Sequence, residues 1–182
     1  MLFIQKKLTL KDGRVCTLRT PVEEDAQQMI EHIRQSAQDT DFLLRYPEEV
    51  TFTLEKEQAL LSDLANSSDS MMIAAFIDGI LAGSCSFASV GPRLKVKHRC
   101  QVGIAVKKEY WHSGIGKILF EEAINQAREC GFEQMELEVV SRNMRAIGLY
   151  EKMGFEVYGI RKNAMKLKDG NYYSELLMMK RL

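Results

Sequence analysis

Polar and apolar residues alternate along Lys7 to Arg19 on either side of Lys11-Asp12-Gly13, the pattern of two short strands joined by a turn. The pattern changes at Thr20-Pro21-Val22-Glu23-Glu24-Asp25. This run predicts a helix start, with Thr20 as cap, Pro21 in the first turn and acids at the positive helix end. That helix extends to about Gln38, and a second covers about Leu54 to Ala65 after a loop at Tyr46-Pro47. Beyond the breaker Asn66-Ser67-Ser68-Asp69-Ser70, two β-rich runs, Met71 to Ile77 and Ile80 to Ser89, flank Asp78-Gly79, a strong hairpin signal. A third strand spans His98 to Val106. From Gly114 the apolar positions Ile115, Ile118, Leu119, Ala123, Ala127 and Cys130 fall on one helical stripe, which Gly131 terminates. Met135 to Val140 is a strand, and Asn143 to Met153 is a helix closed by Gly154. Two last strands, about Glu156 to Lys166 and Tyr172 to Lys180, turn at Lys168-Asp169-Gly170-Asn171.

This order fits one α/β domain over residues 1–182, with a mixed central sheet and helices on both faces. Composition narrows its partners. The 25 basic and 25 acidic residues cancel, which argues against nucleic-acid binding. No apolar run approaches the roughly 20 residues of a membrane span, and the start lacks a signal-peptide core. The scattered Cys16, Cys85, Cys100 and Cys130 form no metal-ligand pattern and read as reduced thiols, so the expectation is a cytoplasmic protein without a metal. The apolar last strand, with Leu176, Leu177, Met178 and Met179, is expected to be covered on both sides, with a possible homodimer formed nearby.

The chemistry concentrates at Val102-Gly103-Ile104-Ala105-Val106 and, after a short loop, Tyr110-Trp111-His112-Ser113-Gly114-Ile115-Gly116-Lys117. Here a strand leads into two glycines that open a helix. Without Cβ atoms, Gly114 and Gly116 let a ligand approach backbone amides that have no intrahelical partner, and the helix dipole favours a diphosphate there. The dinucleotide fingerprint fails because Leu119 stands where its third glycine belongs, and residues 111–118 do not supply a Walker sequence. Downstream, Asn143 and Tyr150 are seven residues apart, about 700° around a helix and roughly 10 Å along it, so both can face one groove.

With the run Val139-Val140-Ser141-Arg142-Asn143-Met144-Arg145-Ala146-Ile147-Gly148-Leu149-Tyr150-Glu151-Lys152-Met153-Gly154-Phe155 added, the chain resembles the GNAT superfamily of acetyl-CoA-dependent N-acetyltransferases. In that family a strand, Asn, Ala, Leu-Tyr-Glu-Lys and Gly-Phe recur in this order behind a Gln/Arg-x-x-Gly-x-Gly/Ala loop. The resemblance implies a single domain with a mixed, mostly antiparallel sheet. It implies acetyl-CoA as co-substrate, lying along Ile104, Ala105 and Val106, with phosphates at His112, Ser113, Gly114, Ile115, Gly116 and Lys117. Asn143 would hold the pantetheine or phosphate arm, and Tyr150 would protonate the departing thiolate. It further implies direct attack by a primary amine, from a small molecule, a protein N-terminus or a lysine, within a ternary complex. Two positions depart from the family pattern: Trp111 replaces the loop's Gln or Arg, and Gln101 replaces an acid that could act as base.

The acceptor region implied by the family lies at Met29 to Leu64 and Lys162 to Tyr173, where Asp39, Asp41, Glu48, Glu49, Phe42, Tyr46, Tyr172 and Tyr173 would suit a cationic amine. A non-catalytic coenzyme A sensor would share the phosphate loop, and turnover separates the two. His32 shows no partner in sequence, His98 reads as a surface histidine with a base at a strand edge as the alternative, and His112 as a loop residue whose amide matters more than its ring; Glu136 and Glu138 read as solvated or paired.

Overall fold

The alternating N-terminal segment forms a hairpin of β1 (Lys6–Thr9) and β2 (Val15–Arg19) in the computed structural model, which describes residues 1–182. The acids Glu23–Asp25 make a 3-10 turn, and α1 (Ala26–Asp39) begins only after them. Thr20 is not the cap that the sequence suggests. Its hydroxyl accepts from the Phe3 amide at 2.8 Å, tying down the N-terminal segment. The Asp25 carboxylate instead closes the 3-10 turn ahead of α1, accepting from the Val22 amide at 2.8 Å and from Arg19 Nη1 and Nη2 at 2.6 and 2.8 Å. Arg19 in turn lies over the Phe76 ring at 3.9 Å.

The helix α2 (Leu54–Asn66) is capped by the Thr53 side chain, which accepts from the Lys56 amide. Strands β3 (Ser70–Ile77) and β4 (Ile80–Ser89) join at Asp78-Gly79, where φ values of +50° and +80° give the tight turn expected of that dipeptide. Next come β5 (Arg99–Val106), α3 (Ile115–Glu129), β6 (Gln134–Val140), α4 (Met144–Lys152), β7 (Glu156–Lys166) and β8 (Tyr172–Arg181).

The eight strands form one sheet in the order β1-β2-β3-β4-β5-β6-β8-β7. Every neighbouring pair is antiparallel except β5 and β6. Alternation along β3 sends Ile73, Ala75 and Ile77 to one face and Ala74 and Phe76 to the other. The first face packs against Leu119, Phe120 and Ala123 of α3 and Ile147 of α4, and the second against Ala26 and Met29 of α1 and Leu61 of α2. Helices therefore cover both faces, as the element order predicts. β8 has strand neighbours on both edges, yet only its Met178 is fully buried. Leu176, Leu177 and Met179 stay partly exposed, beside an outer strand β7 that leaves Val157 and Ile160 in solvent.

The break in the sheet positions the site. β5 and β6 pair only from Arg99 opposite Gln134 to Gln101 opposite Glu136. β6 continues paired with β8 as far as Val140, while β5 stays with β4 as far as Val106. The two parallel strands thus diverge, and the edge of Val102–Val106 turned away from β4 has no strand partner. At the apex, Arg99 and Glu136 form a bidentate pair (2.7 Å from Nη2 to Oε2), and the guanidinium holds the buried Glu136 carboxyl below its usual range.

Candidate active site

The divergence opens a cavity of about 330 Å³, walled by Ile104, Ala105 and Val106 of β5 and by the loop and first turn of α3. Asn143, Arg145, Leu149 and Tyr150 from α4 and its cap close the other side, and Ser36 and Asp39 from the end of α1 close the top. Gly114 stands immediately before α3 at φ +93°, a left-handed conformation that favours glycine. The amides of Gly114, Gly116 and Lys117 donate to no backbone carbonyl, whereas Ile115 reaches the Ser113 hydroxyl at 3.4 Å. Adjacent free donors at a helix start, with no Cβ in front of them, suit a diphosphate.

The structure brings Ile104, Ala105, Val106, His112, Gly114, Gly116, Lys117, Asn143 and Tyr150 together around this cavity. Ser113 and Ile115 stand outside its lining. The Ser113 hydroxyl donates to the Tyr110 carbonyl at 2.6 Å, bracing the loop, and Ile115 is buried in the core. Asn143 caps α4, its side-chain oxygen accepting from the Ala146 amide at 3.2 Å, which leaves its NH₂ group for the cavity. Tyr150 is 8% exposed, with its ring centre 5.0 Å from that of Phe120. Burial pushes its phenol above the ordinary value, so the hydroxyl keeps its proton.

Trp111, at the position where the family pattern has Gln or Arg, donates its indole NH to the Val106 carbonyl at 2.7 Å. Arg145 lies over its ring, 3.2 Å from the centroid. Lys117 sits 3.5 Å from Glu121 in solvent.

His32 has the partners that sequence alone does not reveal. It is buried beside the cavity, with Nδ1 3.4 Å from the Ser36 hydroxyl and Nε2 3.3 Å from that of Ser84. Burial, helped by the charge of Lys107, lowers its pKa to about 4, so the ring is neutral. Glu138 is paired with Arg161, as Glu136 is with Arg99. Ser36, Asp39 and Arg145 are among the lining residues that the sequence does not place in the cofactor groove. For Arg145 the signal was within reach, two positions after Asn143.

A second cavity of about 230 Å³ shares Thr40 and Leu43 with the first and extends to Asp41, Tyr46 and Met165. Around it, the Tyr46 hydroxyl accepts from the Lys168 amide at 2.9 Å, Glu48 pairs with Lys168, and the Glu49 carboxylate accepts from the Tyr46 amide at 2.7 Å. The Phe42 and Tyr173 rings lie 6.4 Å apart. The α1–α2 connection and the β7–β8 hairpin thus meet next to the groove. No helix is long and apolar enough to cross a membrane.

Residues 28–155 match the model of the acetyltransferase (GNAT) family. The fold is similar to that of an acetyltransferase of the GNAT family from Streptococcus pneumoniae, with TM-score 0.87 and 28% identity over 92% of this chain and 99% of that one. It is also similar to a phosphinothricin acetyltransferase from Sinorhizobium meliloti solved with acetyl-CoA (TM-score 0.79, 22% identity, 92% and 88% coverage). In sequence, 67 residues are 39% identical to the Escherichia coli [ribosomal protein bS18]-alanine N-acetyltransferase, spanning 37% of this chain and 45% of that protein. The chain spans about half the length of the curated relatives it matches first, 54% and 45%.

Proposed function

The chain belongs to the acetyltransferase (GNAT) family, and from that premise we propose that it moves the acetyl group of acetyl-CoA to a primary amine by direct attack within a ternary complex. The observation that carries this reading is the coincidence of three features in one cavity: the free helix-start amides of Gly114, Gly116 and Lys117, the unpaired edge of β5, and the buried, protonated Tyr150.

The diphosphate is held at the α3 start, and the pantetheine arm lies along Ile104–Val106 as an added strand, its amides meeting the open edge of β5. Asn143 bonds the same arm through its free NH₂. A backbone amide near Ile104 donates to the thioester carbonyl, where negative charge develops during attack. The amine nitrogen then bonds to the acetyl carbon as the carbon–sulfur bond breaks. Tyr150 gives its proton to the leaving sulfur, and the proton shed by the new amide nitrogen passes through solvent to restore the phenol. Removing water from this pocket raises the phenol and a departing thiolate together, so the donation stays close to balanced despite the upward shift at Tyr150.

An amine with pKa about 10.4 is roughly 99.9% protonated at neutral pH, so a proton must leave before attack. Gln101 cannot take it, and neutral His32 is too weak a base. The acceptor enters beside the second cavity, where Asp41 and Tyr46 suit a cationic amine. A relative that acetylates the alanine of a ribosomal protein supports including a protein N-terminus among the candidates.

A panel of small amines, amino acids and peptides with free N-termini, assayed for coenzyme A release and for an added acetyl mass, tests the proposal. Release coupled to acetylation of at least one amine is expected. Tight acetyl-CoA binding with no acetylated product across the panel would favour a sensor.

A further inference from the structure

We propose that Arg145, seated on the face of Trp111, is the diphosphate-binding cation of the groove. It would supply in this chain what the first loop side chain supplies in the family pattern. The inference rests on the reading that the groove takes acetyl-CoA.

Trp111 cannot offer a phosphate a cation or an amide, and its single N–H is already given to the Val106 carbonyl at 2.7 Å. That bond fixes the indole at the end of β5, a few residues before the free amides of Gly114, Gly116 and Lys117. The Arg145 guanidinium comes from the opposite wall, in the first turn of α4, and lies 3.2 Å from the ring centroid. Both residues line the cavity.

Three observations say that Arg145 is poised for an anion rather than placed for the fold. A cation in the first turn opposes the helix dipole, so the position is unfavourable to α4 itself. No ion pair of the protein engages it, and unlike the other unpaired arginines, Arg34, Arg45, Arg93, Arg128, Arg142 and Arg181, it lines the cavity. Asp39, the one carboxylate in the lining, is already occupied by the Lys108 amide at 3.0 Å and the Gln35 side chain at 2.9 Å. A guanidinium stacked on an aromatic face keeps its edge N–H donors free, in the planar fork that matches phosphate oxygens. Trp111 thus sets the plane of the fork, and Arg145 provides the charge.

The test compares acetyl-CoA with S-acetylpantetheine, which carries the thioester arm but no diphosphate. Trp111 is the protein's only tryptophan, so its intrinsic fluorescence reports binding at this spot. Arg145→Ala is expected to weaken acetyl-CoA binding by roughly 10- to 100-fold, the scale of a lost charge-assisted hydrogen bond. The same change should leave the affinity for S-acetylpantetheine unmoved and flatten the salt dependence of acetyl-CoA binding. Arg145→Lys should recover only part of the loss, because an ammonium lacks the stacked fork. By calorimetry, Trp111→Phe should keep more affinity than Trp111→Ala. Wild-type affinity for acetyl-CoA in folded Arg145→Ala would overturn the proposal, as would an equal loss for both ligands. Amine turnover enters none of these measurements, so wild-type protein that binds acetyl-CoA but acetylates nothing would sink the proposed reaction and leave this assignment standing.

Discussion

Gly114, just before α3, and Gly116, in its first turn, should respond differently to the same substitution. At Gly114, φ is +93° and an added Cβ would meet nothing within 4 Å, so Gly114→Ala meets no clash and pays only for the left-handed backbone. That strain costs about 1–2 kcal/mol. Gly116 lies inside α3 with ordinary helical backbone. Its Cβ would sit 3.8 Å from Val106 Cγ2, 3.9 Å from Leu149 Cδ2 and 4.0 Å from Ile104 Cδ1, all normal contacts. Gly116→Ala therefore gains helix propensity, up to about 1 kcal/mol, somewhat less because it is so near the helix start. For a chain of this size 1 kcal/mol moves Tm by about 2–4 °C. Thermal melts followed by circular dichroism should thus show Gly114→Ala lower by roughly 2–8 °C and Gly116→Ala level with wild type or up to about 4 °C higher. Binding separates the positions further. Gly116→Val would project branched methyls among Ile104, Val106 and Leu149 and should block acetyl-CoA, whereas Gly116→Ala should still bind it. Melting shifts of the same sign for the two alanine variants would refute the claim that Gly114 is required by backbone conformation and Gly116 by space.

His32 gives a pH prediction with a definite sign. Its folded pKa of about 4 lies below the unfolded value of about 6.5. Below pH 6.5 the unfolded chain gains a proton that the folded one refuses, so this contribution to stability is present above about 6.5 and is lost as pH falls towards 4. Chemical denaturation across that window should show an extra slope of about 1.4 kcal/mol per pH unit that His32→Gln removes; identical slopes would exclude a buried neutral ring. The thiols should be inert. Burial raises Cys16 and Cys85 and pushes Cys100 up to about 12, and Cys130 alone is partly exposed, so a thiol reagent at pH 8 should modify at most Cys130 until denaturant is added. Reaction of more than one cysteine in the native state would contradict the core described.

What sequence reveals here is what neighbours along the chain decide. Asp78-Gly79 dictates its own turn, and Gly131 and Gly154 end α3 and α4 with φ of +82° and +83°. The apolar stripe of α3 needs no tertiary knowledge to be seen. The misplaced cap at Thr20 has a different origin: its hydroxyl is taken by the Phe3 amide, and Asp25, held by an Arg19 that lies over Phe76 of β3, closes a 3-10 turn that delays α1. Periodicity also gives no hint that β6 pairs with β8 rather than β7, or that β5 and β6 part after Gln101. At the site, the glycine loop, Asn143 and Tyr150 were legible because each belongs to a contiguous motif. Ser36 was not, and Asp39 only as part of the acceptor region, since only the packing of α1 against β4 and β5 brings them to the groove. The stacking of Arg145 on Trp111 was equally hidden, because it joins two motifs across a gap in the sheet.

The central claim, that the groove performs acetyl transfer with Tyr150 as acid, is tested most directly by Tyr150→Phe. The substitution keeps a ring of the same shape against Phe120 and Phe155 and removes only the hydroxyl. With an amine acceptor in hand, steady-state turnover and acetyl-CoA affinity are measured for both proteins. The account predicts nearly unchanged affinity and turnover lower by about 10²-fold, a loss that shrinks when a thioester of a more acidic thiol replaces acetyl-CoA. A folded Tyr150→Phe protein that turns over acetyl-CoA as fast as wild type would contradict it.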